Sequence, residues 1–203
     1  MEIIRFADLK AEPWRNGGGV TRQIAAQPSP SVASEDAPNG RANGGRDPGW
    51  DWRVSIADVT KAGDFSPFPG MERVLTVIEG ELLLLSVDGA EHPMEKYRPF
   101  RFAGGAATSG KLPTGDVRNL NVITRAGAFK GFTSIIELSR KRAHPVFDGQ
   151  LGVLLQGQAK VSAGEGGPAD LGRYDTVVGS DSETPDVLGR GFLAVVSIDP
   201  VED

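Results

Sequence analysis

Apolar and polar residues alternate with a period of two along most of this chain, and no long segment has the 3.6-residue period of an amphipathic helix. Around Val54, for example, Trp52 and Ile56 share one face while Arg53 and Ser55 lie on the other. A half-buried strand has this pattern because successive side chains point to opposite sides of a sheet. The alternation therefore predicts an all-β protein.

Short strand-like segments recur between turns rich in Gly and Pro, which is typical of a barrel or sandwich. Segments 73–78 and 82–87 flank a Glu-Gly-Glu turn and are predicted to form a hairpin. Residues 28–49 are rich in Pro, Ser, Asn and Gly with little to bury, so we expect a mobile surface insertion there. The predicted strands are 20–25, 51–57, 73–78, 82–87, 119–124, 132–138, 153–155, 159–162, 176–178 and 192–198.

A weak internal repeat refines this prediction. Segment 77–81 is similar in sequence to segment 154–158 at an offset of 77 residues. At the same offset, residues 96–97 align with residues 173–174. Self-similarity of this kind favours two related β-barrel halves. Chance matching of turn glycines is the alternative, because short apolar matches carry little information.

Charge and composition exclude several classes of protein. A net charge of -5 and a pI near 5.2 argue against a nucleic-acid binder, and the single basic run at 140–142 is typical of a solvated loop or strand end. No apolar run approaches the length of a membrane span, and the first residues lack the features of a signal peptide. The absence of cysteine also fits the cytoplasm. We therefore expect a cytoplasmic protein that binds neither nucleic acid nor membrane.

Residues 13–22 are the densest collection of potential ligand-binding side chains, with a Trp, an Asn, a Thr and two Arg around three consecutive glycines. Consecutive glycines cost backbone entropy, so they normally mark a turn or a close approach to the backbone. The segment lacks the Gly-x-Gly-x-x-Gly spacing, and the chain has no Gly-x-x-x-x-Gly-Lys-Ser/Thr motif. A nucleotide-binding fold is therefore unsupported.

The strand, Gly-Glu turn, strand and Asp-Gly turn of the first half resemble a cupin, a small β-barrel that often holds a metal. In the cupin pattern two histidines and a glutamate precede a glycine. Counting back from Gly80 places Arg73 at the glutamate position and Phe68 and Ser66 at the histidine positions. None of these three side chains holds a divalent metal. We expect neither a metal site nor a cofactor.

Five separate segments resemble the HutD/Ves family, bicupin proteins encoded among bacterial histidine-utilisation genes; they are 13–22, 52–59, 63–73, 99–102 and 119–125. The resemblance implies two degenerate cupin halves, which we place at 1–125, carrying the family motifs, and 126–203. It also implies a regulator or binder without an established catalytic activity, with N-formylglutamate or a related intermediate as the proposed ligand.

A small dicarboxylate of this kind calls for guanidinium groups, which bind carboxylates bidentately and stay charged. Amide and hydroxyl side chains would bind its formyl group, aromatic rings would exclude water, and glycine N–H groups would form an anion nest. The candidate residues are Trp14, Asn16, Gly18, Thr21, Arg22, Arg53, Ser66, Phe68, Arg73 and Asn121.

Each candidate has a structural alternative. Arg53 and Arg73 could point into water, as charged side chains usually do. Trp14 could fill the barrel core, and the three glycines could serve only as a turn.

The favoured hypothesis is a regulatory protein that binds an acidic metabolite of histidine catabolism and performs no chemistry. One alternative is a metal-independent isomerase or hydrolase, in which an arginine orients the substrate and an Asp or Glu acts as the base. Another is a protein–protein module, which would expose an apolar patch. Formation of a homodimer is left open.

Overall fold

The computed structural model describes residues 1–29, 48–164 and 167–202. Within these ranges the regular structure consists of strands and one 3-10 helix, Phe6–Asp8, so the all-β prediction is confirmed. None of the described helical structure has the length and apolar character that crossing a membrane requires. The strands are β1 (Glu2–Ile4), β2 (Ala11–Pro13), β3 (Gly19–Pro28), β4 (Trp50–Val59), β5 (Gly63–Asp64), β6 (Met71–Glu79), β7 (Leu82–Val87), β8 (Ala90–Glu95), β9 (Phe100–Ala103), β10 (Thr108–Lys111), β11 (Val117–Arg125), β12 (Phe129–Leu138), β13 (His144–Pro145), β14 (Gln150–Ser162), β15 (Ala169–Leu171), β16 (Thr176–Val178) and β17 (Asp186–Pro200).

The strands form three sheets in two compact units. The N-terminal unit spans Lys10–Gly131, with the tail that begins at Pro200, and contains a six-stranded sheet in the order β2-β3-β4-β11-β6-β9 and a four-stranded sheet in the order β5-β10-β7-β8. The C-terminal unit spans Phe132–Asp199 with Met1–Leu9. Its sheet has the order β1-β16-β14-β17-β12, with β13 beside β17 and β15 beside β14.

The first nine residues lie with the second half of the chain, a division that sequence patterning does not reveal. Strand β1 pairs antiparallel with β16, and the Arg5 guanidinium is 2.6 Å from the Asp175 carboxylate. The same carboxylate accepts a hydrogen bond from the Phe6 backbone N–H at 2.9 Å. These contacts hold the N-terminus to the C-terminal unit.

The core of the N-terminal unit contains apolar residues from both of its sheets, and aromatic rings are prominent in it. Strands β4, β6, β9 and β11 contribute from the six-stranded sheet, and β7 and β8 from the four-stranded sheet. Alternation along each strand directs these side chains to one interior. The buried members are Val59, Phe65, Leu75, Val77, Leu83, Leu85, Met94, Phe102 and Val117.

The core of the C-terminal unit is aliphatic. Its buried members are Leu138, Val146, Leu154, Ala159, Val161, Leu171, Val177, Val187, Leu193 and Val195. No aromatic or charged side chain belongs to this described cluster, so its members pack hydrocarbon against hydrocarbon.

The predicted hairpin between segments 73–78 and 82–87 is wrong. Strand β6 pairs with β11 and β9, whereas β7 pairs with β8 and β10 in the other sheet. Gly80 makes the corner between them with φ +85°, and a Cβ there would lie 2.6 Å from the Asp116 carbonyl oxygen. The two predicted strands 153–155 and 159–162 are likewise one strand, β14, which bends through a register shift near Gln156.

The two units nevertheless share local geometry at the 77-residue offset. The Tyr97 N–H donates to the Val77 carbonyl at 2.8 Å, and the Tyr174 N–H donates to the Leu154 carbonyl at 2.6 Å. Both tyrosines have a positive φ, 66° and 68°, which is uncommon for a residue with a side chain. The backbone therefore has the same hydrogen bond and the same positive φ at two tyrosines 77 residues apart, and the wider internal repeat stays a prediction.

Most of the predicted insertion at 28–49 lies outside the described residues, so its mobility stays a prediction. Its two ends are close together, because the Ser29 N–H donates to the Gly49 carbonyl at 3.1 Å. Pro28 and Trp50 are cross-strand partners in β3 and β4. Both ends therefore leave the six-stranded sheet at the same point.

Candidate functional site

Three neighbouring strands of the N-terminal unit bring polar side chains to the interior face of the six-stranded sheet. Arg53 on β4 and Arg73 on β6 both lie opposite Ile123 on β11. One row further along, Asn121 lies opposite Leu75, a fully buried core residue. Cross-strand partners project to the same side, so the two arginines and Asn121 point towards the core.

Arg73 is only 4% exposed and has no carboxylate partner among the described residues. Its Nη2 donates to the Asn121 side-chain oxygen at 3.2 Å, and its Nη1 donates to the Ser66 carbonyl at 3.4 Å. Its Nε is buried without a hydrogen-bond partner in the described part of the chain. Burial, reinforced by the nearby Arg53 charge, lowers the pKa of Arg73 to about 10.

Aromatic rings surround the Arg73 guanidinium. Its carbon lies 5.8, 5.6 and 5.1 Å from the ring centroids of Phe65, Phe68 and Phe102. Such contacts are attractive because the face of a ring carries partial negative charge. They offset only part of the cost of removing a guanidinium from water.

Arg53 shares one of these rings. Its guanidinium carbon is 5.4 Å from the Phe68 centroid and 4.8 Å from the Trp50 ring. Its Nε is also buried and unpartnered within the described ranges. Burial lowers the pKa of Arg53, and the charge of Glu12 raises it by a smaller amount. Two poorly solvated cations that form no salt bridge within the described residues favour the entry of an anion.

Arg22 is not part of this cluster. It lies opposite Ile56. Side chains alternate along a strand, so Ile56 and Arg22 point to the other face of the sheet, away from the interior that Arg53 faces. Its Nη1 is 2.6 Å from the Asp58 carboxylate, and Arg118 binds the same carboxylate. The sequence could not show this pairing, because the two residues lie on different strands.

The triple glycine forms a turn. The Trp14 N–H donates to the Gly19 carbonyl at 2.9 Å, and the Gly17 N–H donates to the Trp14 carbonyl at 3.0 Å. The Gly18 N–H is held by the Asn16 side-chain oxygen at 2.9 Å. A Cβ on Gly19 would lie 2.2 Å from the Asp58 carbonyl oxygen. The Gly17 and Gly18 N–H groups are therefore hydrogen-bonded within the turn, and an anion nest at the three glycines stays a prediction.

The remaining candidates lie at different distances from the arginine pair. Trp14 donates its indole N–H to Thr21 at 2.8 Å and packs edge-on against Phe65, at 5.6 Å between centroids. Trp14 therefore packs against Phe65, one of the rings that contact Arg73. Asn16 is exposed and donates to the Asp64 carbonyl at 3.4 Å, and Ser66 is exposed and contributes its carbonyl.

Sequence reasoning missed several residues of the cluster. Phe65, Phe102 and Trp50 provide rings around the guanidinium groups. Asn119 is fully buried, and both polar atoms of its amide lack a partner within the described residues. Its position two residues before Asn121 on a strand was the available signal, since such residues share a face.

The cupin fold often holds a metal, but the residues here do not fit one. The charged groups of the cluster are the guanidinium groups of Arg53 and Arg73, beside the Asn121 amide, and two cations repel a third. No group of three or more His, Cys, Asp or Glu side chains suited to a metal occurs in the part of the chain that the structure describes. We therefore derive no chemistry through a metal.

Solved structures identify the class of protein. The fold is similar to that of a cupin 2 conserved barrel domain protein from Leptotrichia buccalis, with a TM-score of 0.58, 9% identity and coverage of 98% of this chain and 96% of that one. HutD from Pseudomonas fluorescens is more similar, with a TM-score of 0.73, 27% identity and 99% coverage of both chains. The protein is therefore an all-β, cupin-like barrel protein.

Sequence comparison identifies the family. The HutD family model matches residues 6–195, and the chain belongs to the HutD family. It is 35% identical over 124 residues to an uncharacterized 21.2 kDa protein in the hutC 3′ region of Pseudomonas putida. It is also 35% identical over 127 residues to protein Ves of Citrobacter koseri. These matches cover 61% and 62% of this chain and only 57% and 58% of those relatives.

Proposed function

We propose that the protein binds a small carboxylate inside the N-terminal unit and acts as a regulator of histidine catabolism. The observation that carries this proposal is the pair formed by buried Arg73 and half-buried Arg53, which share one face of the sheet and form no salt bridge among the described residues. A buried cation is normally paired. A ligand carboxylate would provide the missing partner.

The chemistry of the cluster favours an acidic metabolite such as N-formylglutamate. This molecule carries two carboxylates and a formamide group. The two guanidinium groups lie on a shared ring, Phe68, and suit the carboxylates. The Asn121 amide next to Arg73 suits the formamide.

Binding without chemistry accounts for the site better than catalysis does. A general base must reach the reacting group of the bound ligand. Among the described residues, the carboxylate that acts electrostatically on Arg53 is that of Glu12, which would have to be this base. Glu12 is exposed at the sheet edge. The name of the Pseudomonas putida relative places that protein in the hutC 3′ region, which supports a role connected with histidine utilisation.

Calorimetric titration with N-formylglutamate, urocanate, histidine and glutamate tests the proposal. We expect one or more acidic members of this panel to bind. Arg53→Lys and Arg73→Lys keep the charge and remove the bidentate fork, so each should weaken binding by about 1.5 kcal/mol or more.

Arg22→Lys is the matched control, because Arg22 binds Asp58 on the opposite face. It should leave affinity unchanged. Failure of all four compounds to bind would refute the ligand class. Equal losses in Arg22→Lys and Arg73→Lys would refute the location of the site.

A further inference from the structure

The C-terminal unit contains a cavity of about 510 Å³ on its surface. It lies on β14, β15 and β17, where Lys160, Leu188 and Arg190 are exposed. The residues between them, Ala159 and Val187, belong to the aliphatic core. The exposed lining residues are therefore on the outer side of the sheet, and buried Ala159 and Leu171 also line the cavity. Its volume is in the range of small-molecule sites.

Cross-strand pairing arranges the charges of this cavity. Lys160 lies opposite both Leu188 and Asp170, and its ammonium is 3.0 Å from the Asp170 carboxylate. Arg190 lies opposite Gln158 and has no ion pair among the described residues. The Lys160–Asp170 pair is neutral overall, so the positive charge of Arg190 is uncompensated.

A second arginine is placed beside the cavity by the end of β12. The Ser139 carbonyl accepts a hydrogen bond from the Gly189 N–H at 3.2 Å, which fixes the chain next to β17. The Ser139 hydroxyl accepts from the Lys141 N–H at 3.1 Å and bends the chain around Arg140. Arg140 lines the cavity and has no ion pair within the described ranges.

The cavity also has an apolar part. Leu188 is 40% exposed, one of the few large apolar side chains left open to water in the described chain. Next to it Gly189 has no side chain, and a Cβ there would lie 2.2 Å from the Gln158 carbonyl oxygen. Leu188 therefore provides an apolar surface among the two arginines and Lys160.

We propose that this cavity is a second anion site, distinct from the arginine pair inside the N-terminal unit. Its ligand class is a small carboxylate with a short hydrocarbon body. Arg140 and Arg190 bind the carboxylate by charge-assisted hydrogen bonds, and Leu188 covers the hydrocarbon.

Titration of the ¹⁵N-labelled full chain with hexanoate, followed by amide NMR, tests the proposal. We expect saturable shifts at Gln158, Gly189 and Arg190. The double variant Arg140→Gln with Arg190→Gln should raise the dissociation constant measured from these shifts by about tenfold or more.

Two further variants serve as controls, and thermal unfolding confirms that each is folded. Lys141→Gln removes a charge from the same basic run but from a residue that does not line the cavity, so it should leave the shifts unchanged. Leu188→Ala should weaken hexanoate binding more than acetate binding, because acetate has almost no hydrocarbon to cover. Non-saturating shifts, or equal losses with Lys141→Gln and the double variant, would overturn the proposal.

Discussion

Replacing Arg73 by Met should show whether this cation serves to bind a ligand or to stabilise the fold. At pH 7 the buried guanidinium is charged, and burial lowers its pKa from the ordinary arginine value to about 10. At 1.36 kcal/mol per unit, this shift corresponds to a cost of about 3 kcal/mol for the charged form. The lowered pKa makes this cost fully present below pH 10, and it is relieved only as the pH rises through that value.

Met removes this cost and keeps an apolar chain among Phe65, Phe68 and Phe102. The change also forfeits the cation–π contacts, each worth about 0.5–1 kcal/mol. It leaves Asn121 without its donor, which costs about 1 kcal/mol. These losses roughly offset the gain, so the ligand-free variant should be as stable as the natural protein, within about 1 kcal/mol.

Urea unfolding, with and without the carboxylate that calorimetry identifies, measures both effects. At a ligand concentration of 100 times Kd, the natural protein should gain about 2.7 kcal/mol and Arg73→Met should gain almost nothing. Arg22→Met is the comparison, because it breaks a 2.6 Å ion pair and should cost about 1 kcal/mol without ligand. A ligand-free loss above about 2 kcal/mol in Arg73→Met would show that the cation is structural and refute the reasoning.

Three further predictions concern the glycine turn, the charge of Glu12 near Arg53 and the N-terminal segment. Gly19→Ala should cost well over 2 kcal/mol in urea unfolding because its Cβ meets backbone at 2.2 Å, whereas Gly17→Ala, with open space at φ +65°, should cost only about 1 kcal/mol; equal losses would contradict this. Glu12→Gln should tighten carboxylate binding several-fold by removing a competing charge near Arg53, and unchanged affinity in calorimetry would argue against that competition. Burial raises the pKa of Asp175, but hydrogen bonds from the N-terminal segment and Gly172 outweigh this effect and hold the pKa below 3.8. The stabilisation that these bonds provide is therefore present above this pH and lost as the pH falls below it. Asp175→Asn should lose about 1–2 kcal/mol at pH 7 and flatten the acid limb of the stability curve, which urea unfolding across pH would show.

The strands were the most predictable part of this protein. Period-two alternation placed segments such as 51–57 and 119–124 inside β4 and β11, because burial of one sheet face imposes that pattern locally. It did not reveal which strands pair. Segments 73–78 and 82–87 look like a hairpin in sequence, yet the corner at Gly80 sends them into different sheets.

Four of the candidate site residues lie together in the structure. Register across β4, β11 and β6 aligns Arg53, Arg73 and Asn121, and Phe68, between β5 and β6, contacts both guanidinium groups. Arg22 is also an arginine and lies in the densest motif, 13–22, but its position on the strand directs its side chain to the opposite face of the sheet. The face to which a side chain points depends on the register of its strand against a distant strand, and the sequence alone does not determine that register.

The sequence by itself determined the all-β class, the family and the chemical types available for a site, since these follow from local alternation and short motifs. The tertiary structure decided which arginine is paired with a carboxylate and which is buried without one. That difference depends on cross-strand neighbours 36 residues apart for Arg22 and Asp58 and 48 apart for Arg73 and Asn121. Contacts over such separations exist only after the sheet has formed.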